Sequence, residues 1–454
     1  MRPWLVLPIF CWATAARAAD VGEIAVIADP GNVLSAISIP TSTYLERAAC
    51  AFYADHQDRY DAIFVYTNRT LNAFNRNQQG WPVKRAALGL GRDLWPERSE
   101  RFCSPRLRHA VKMGDIGSFP DDPDARYTAV PTFTLTGVQL MAHELGHQWM
   151  AAISFLDGSG RRRCLLRGYT GGEEPGGPIG NECDGQPLSS FNLHWSYFFS
   201  TGSVMYGNEL RDLGGGRFEV SSPNPKFSPL DQYLMGLRAP EEVPPLFLLE
   251  TGALSPESTE FPLPAGQTEI IEGERLDFTV ADIIRAEGPR DPPRDHCHWK
   301  AAFVLIHDPD QPPTAAEIAR VDRYRQRFES FYAEATDRRG SFDTTLKGSG
   351  IGTPECPAVG PPILDAGIRP DASPDATTSD DAEVDDDRGS TDRGSNPAPS
   401  VDDAGPPAQQ EPKVLGLEDA CACRDTGGAN ATPGSFALLA CGLWIHRRRS
   451  STRR

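Results

Sequence analysis

The stretch TLTGVQLMAHELGHQWMAAISF (residues 134–155) decides how this chain reads. It contains no proline, offers Thr136 as a helix N-cap and carries apolar residues at helical spacing, so one helix is expected across it. His143 and His147 lie four apart and project from one face, which lets both imidazoles reach a common ion at about 2.0–2.1 Å. Glu144, between them, is placed to take the proton of a water held by that ion. The donor set points to zinc, and a catalytic zinc site uses three protein ligands and one open position. The third ligand must come from elsewhere.

Residues 194–207 read HWSYFFSTGSVMYG. His194 is followed by Met205 in a turn of small residues, and the intervening sequence from 157 to 185 is rich in glycine. Together with HELGH, this resembles the metzincin branch of the zincin metallopeptidases, in the leishmanolysin-like arrangement where an insertion precedes the last histidine. The resemblance covers residues 143–207. It implies zinc on His143, His147 and His194, Glu144 as general base, Met205 in a turn under the metal, and Tyr206 as a hydrogen-bond donor to the oxyanion. The compact form of the motif is not met, because Met150 and Ile153 stand where Gly and His belong. HELGHQW also resembles the aminopeptidase version, Trp149 included, in which a glutamate on a second helix is the third ligand. The window for that residue, CLLRGYTGGEEPGG (164–177), reads as a loop without a helix, and Glu173, Glu174 and Glu182 read as solvated loop charges. Packing alone also accounts for Met205 and Tyr206, and for the run Trp195, Tyr197, Phe198 and Phe199. The Asp cluster of FPDDPDARY (119–127) offers a calcium site, with a solvated turn as the plainer reading. His296 and His298 flank Cys297 and fit a disulfide segment better than a second metal site.

The rest of the sequence bears on location. The formal net charge of −17 argues against nucleic-acid binding. Residues 1–18 have the early arginine, apolar run and small-residue end of a secretory signal. Of ten cysteines, six lie between the two ends, and their order suggests pairs 50–103, 164–183 and 297–356 in an oxidising compartment. Residues 358–416 are rich in Asp, Pro, Ser and Gly and too poor in apolar groups to fold, so a disordered acidic linker is expected. Residues 417–454 place Cys421 and Cys423 before a short apolar stretch and an arginine-rich end. That order resembles the MYXO-CTERM sorting tail of myxobacterial surface proteins, which implies attachment to the envelope; a tail anchor with cytoplasmic arginines is the alternative.

The resulting expectation is an α/β (α+β) chain. Its zincin-like catalytic region spans 19–357, with a twisted mixed sheet, the HExxH helix, and a helical C-terminal subdomain after a break near 208. Helices are expected over 44–60, 227–237, 278–288 and 314–336, and strands over 61–67 and 300–308. The expected function is a cell-surface, monomeric zinc endopeptidase acting on protein or peptide. Two alternatives stay open: a peptidase with a glutamate ligand, and a non-catalytic adhesion protein with structural zinc.

Overall fold

A computed structural model describes residues 18–29, 40–69, 78–85, 87–91, 97–130, 133–149, 153–166, 194–251, 262–294, 296–347 and 356. The signal segment up to Arg17, the acidic linker and the C-terminal segment lie outside the described residues.

The chain opens with a hairpin of β1 (Ala19–Val21) and β2 (Ile24–Ala28), followed by α1 (Thr41–Tyr53), β3 (Ala62–Thr67), β4 (Gln79–Pro82) and β5 (His109–Asp115). A second hairpin, β6 (Arg126–Val130) and β7 (Phe133–Thr136), runs directly into α2 (Gly137–Gly146). Next come β8 (Ser154–Leu156), β9 (Arg162–Cys164), β10 (Glu209–Gly214), β11 (Arg217–Ser221), α3 (Pro229–Leu234), β12 (Leu246–Glu250), β13 (Thr268–Glu272) and β14 (Glu274–Phe278). The last elements are α4 (Val280–Glu287), β15 (His298–His307), α5 (Ala315–Ala335) and β16 (Ser341–Asp343).

One mixed sheet organises the molecule, in the order β1-β2-β15-β3-β5-β4, with β16 beside the start of β15. The four inner strands are parallel, and β1 and β4 are antiparallel edges. Parallel strands covered on both faces need apolar residues on both sides, hence the unbroken runs AIFVYT and AAFVLIH. Ile63, Val65, Val304 and Ile306 face α1, with Leu45, Ala48 and Phe52. Phe64, Tyr66, Phe303 and Leu305 face the opposite layer, which holds Met141 of α2 and Tyr324 and Phe328 of α5. Each set is fully buried.

The expected helical subdomain after 208 is not what forms. The described residues between 209 and 278 hold five antiparallel strands, β10-β11-β13 in one small sheet and β12-β14 in another, with only the short α3 as α-helix. β15 then returns to the centre of the main sheet between β2 and β3, and one compact unit extends across position 208. A strand inserted there cannot belong to a separate body. The mixed α/β class does hold, as do helices within the expected stretches, at 229–234, 280–287 and 315–335, the first and last of them capped by the hydroxyl of the residue before. Among the described residues no helix is long and apolar enough to cross a membrane.

Disulfides join Cys50 to Cys103 and Cys297 to Cys356, as the cysteine order suggested. Cys164 is also disulfide-bonded, while Cys183 lies outside the described residues.

Candidate metal centre

Helix α2 starts with a reciprocal cap: Thr136 Oγ1 accepts from Gln139 N at 3.2 Å, and Gln139 Oε1 accepts from Thr136 N at 2.9 Å. The helix is buried all round, so its polar residues need protein partners or an ion. It ends at Gly146, nine residues short of the expected end, with His147 at the C-cap in helical geometry. The chain is pulled off the axis by two buried side chains. Gln148 Nε2 donates to Lys84 O at 2.8 Å, and Trp149 packs edge-on against Trp299. His147 keeps its place on the face of His143, and the two rings meet at 5.1 Å.

His194 comes to this face from a segment paired elsewhere. Leu166 and Trp195 form a β-bridge, and Ser196 N donates to Leu165 O at 2.9 Å, so the chain re-enters beside the point it left. His143, His147 and His194 are buried, with ligand atoms within 4.8 Å of one another; among the described residues no other group of three acidic, His or Cys side chains is so placed. His143 Nε2 and His194 Nε2 are 3.2 Å apart. Two nitrogens bound tetrahedrally at about 2.0–2.1 Å are separated by about 3.3 Å, so the pair already has the spacing of two zinc ligands. His143 Nδ1 is 2.9 Å from Val204 O, which fixes the proton there and leaves Nε2 as a lone pair facing the centre. Burial, and then the neighbouring His143 and His109 rings, hold His147 well below the usual histidine range, the neutral form a ligand needs. Its Nδ1 is buried without a hydrogen-bond partner among the described residues. The donor set therefore fits zinc.

A tight turn underlies the histidines. Ser203 and Gly207 exchange both backbone hydrogen bonds, at 2.9 and 3.0 Å, and Tyr206 between them has φ of 65°. The turn presents the Val204 carbonyl to His143. It also stacks the Tyr206 ring on His143 at 4.2 Å and on His194 at 4.4 Å. Met205 points to α2, where Gly146 makes room for its sulfur.

Glu144 is buried, with Oε2 4.0 Å from His147 Nε2 and accepting from Gly80 N at 2.7 Å. Burial pushes its carboxyl up to about 8, against the Gly80 N–H and the Lys112 charge. Burial thus disfavours the charged form of both Glu144 and His147, so their 4.0 Å contact is weak as an ion pair. Behind them His109 bridges Glu144 O at 2.9 Å and Gln148 Oε1 at 3.2 Å. The fully buried Lys112 is pushed down to about 7 by burial.

The aromatic run is wall and core, with Trp195, Tyr197, Phe198 and Phe199 all buried. His296 Nε2 lies 3.1 Å from Asp61 Oδ2, and His298 bonds Ser341 Oγ, so both are held by protein groups beside the Cys297–Cys356 bond. In the Asp cluster, Asp121 pairs with Arg320 and Arg323, and Asp124 with Arg327. Glu173, Glu174 and Glu182 lie outside the described residues. Sequence reasoning missed Gly80, Val204 and Asp231. The first two act through backbone atoms, which leave no residue signature. Asp231 was visible only as part of SPLD, a helix-start pattern.

Comparison with family models, with curated proteins and with solved structures gave no match for this chain.

Proposed function

We propose that this chain is a zinc-dependent peptidase, exported and tethered to the cell envelope through its C-terminal segment. One observation carries the reading: three buried imidazoles converge beside a glutamate whose carboxylate is oriented by a backbone N–H. A purely structural site needs a fourth protein ligand and has no use for an oriented base. When bound, zinc supplies Lewis acidity, which activates water and polarises the scissile carbonyl.

The chain's own groups do the rest. Glu144 takes the proton of the attacking water and passes it to the leaving amine, and Gly80 N–H holds Oε2 in one orientation for both transfers. The Val204 carbonyl keeps His143 in the ligating tautomer. Tyr206 backs two of the rings, and its hydroxyl is the candidate donor to the oxyanion. A cleft lined by Arg126, Leu135, Gln139, Val204 and Asn224 opens one helical turn from His143 and offers room for a peptide side chain. The disulfides support export, because such bonds persist outside the reducing cytosol.

The test is zinc content per purified chain together with casein cleavage. The native chain should hold about one zinc and cleave casein. Glu144→Gln should keep the metal and lose activity by at least about a hundredfold. His194→Ala should lose most of the metal. A native chain without zinc, or a Glu144→Gln variant as active as native, would overturn the proposal.

A further inference from the structure

We propose that Asp231 is a positioning residue for the metal centre: its buried carboxylate ties both the His194 segment and the turn under the histidines to α3, and thereby sets how tightly a divalent cation is held. This rests on the metal-centre reading above.

Asp231 is 4 % exposed and sits in the first turn of α3. Its Oδ1 accepts from Trp195 Nε1 at 2.8 Å. Its Oδ2 accepts from Ser203 Oγ at 2.5 Å and from Ser228 N at 2.6 Å. Only the last of these belongs to the helix cap, and a cap alone has no need of the other two. Both of those reach the centre. Trp195 follows His194 directly, and its backbone N donates to Met205 O at 3.2 Å. The Ser203 hydroxyl accepts from Met205 N at 3.0 Å while donating to Asp231, so it pins the turn that presents Val204 O to His143 and Tyr206 to both rings.

The brace is anchored at its far end. Phe227 N donates to Ala335 O at 3.0 Å, and Gln232 Nε2 donates to Asp337 Oδ2 at 2.9 Å, which fixes α3 to the end of α5. All three groups on the Asp231 carboxylate are donors. An amide cannot replace it, because its NH2 must face either the Trp195 Nε1–H or the Ser228 N–H, both donors only. Partners of this kind, one step behind metal ligands, change metal affinity by roughly 10- to 100-fold when removed.

The experiment uses the full chain stripped of metal by chelation, titrated with Zn2+ against a chromophoric chelator, and with Co2+ for its ligand-field spectrum. Asp231→Asn should bind Zn2+ roughly 10- to 100-fold more weakly and shift the Co2+ bands. Ser228→Ala, which removes the cap hydroxyl and leaves the Trp195 and Ser203 contacts of Asp231 in place, should lower the melting temperature and leave Zn2+ affinity within about twofold of native. If Asp231→Asn melts lower but matches native in Zn2+ affinity and Co2+ spectrum, Asp231 is only a helix cap and the inference is wrong. Should Asp231→Asn fail to fold, Trp195→Phe with Ser203→Ala decides: weakened Zn2+ binding upholds the brace, and native affinity overturns it. A native chain that takes up no Zn2+ defeats the metal-centre reading first, before any variant is compared.

Discussion

A Cβ placed on Gly146 would stand 2.2 Å from the Met205 sulfur and 3.2 Å from the Phe227 ring. On Gly80 it would stand 1.9 Å from the Glu144 carbonyl oxygen. These two glycines let the site form: one admits the turn beneath α2, the other admits the edge strand whose Gly80 N–H holds Glu144. Met205 is fully buried, so Gly146→Ala should cost about 1–3 kcal/mol through overpacking. Shortening the opposing side chain should recover much of that loss. Denaturant midpoints for Gly146→Ala, Met205→Ala and the double variant form a cycle that checks this. Strictly additive losses would mean the two residues do not oppose each other. The glycine in HELGH was in plain view in the sequence, but its purpose was not, since that depends on a methionine far along the chain. His143, Glu144 and His147 were legible because helical spacing alone puts them together. His194 was legible only through the resemblance of its neighbourhood to a known pattern.

Helix α2 shows where element-level reading stops. Its start was set by local chemistry, the Thr136 cap, and is found where expected. Its end is set by distant groups, Lys84 O, His109 and Trp299, which no local rule supplies. The same contacts give this element a pH response. Burial holds His109 down to about 4, against hydrogen bonds to Glu144 O and Gln148 that pull it up. The unfolded ring takes a proton near 6.5, so between about 6.5 and 4 the unfolded state binds more protons and stability falls with falling pH. The loss from this group reaches about 3 kcal/mol by pH 4. Metal-free native chain and His109→Gln, unfolded in denaturant at pH 7 and pH 4.5, should differ in slope, with the variant losing this share of the dependence. Equal slopes would remove His109 as the cause.

At the scale of the whole molecule, the inner strands could be recognised one by one from their apolar runs, but their order could not. β15 is far in sequence from the strands on either side of it, and nothing in AAFVLIH says that it lies between β2 and β3. That misplacement produced the expected subdomain break near 208. It also hid how the molecule handles its long excursion between α2 and His194. The bridge between Leu166 and Trp195 closes the excursion at its base, next to the centre. The cost of closing a loop changes by only about 0.6 kcal/mol for each doubling of its length, so the bridge should tolerate a change in the length of chain between Leu166 and Trp195. Replacing residues 168–192 by a short Gly/Ser bridge, with Cys164→Ser, should leave zinc content unchanged and alter the melting temperature little. Loss of zinc on that exchange would show that the excursion helps build the centre. Retained zinc would mean that the chain can accept foreign sequence at the edge of its three-histidine centre, and so be given new partners by grafting alone.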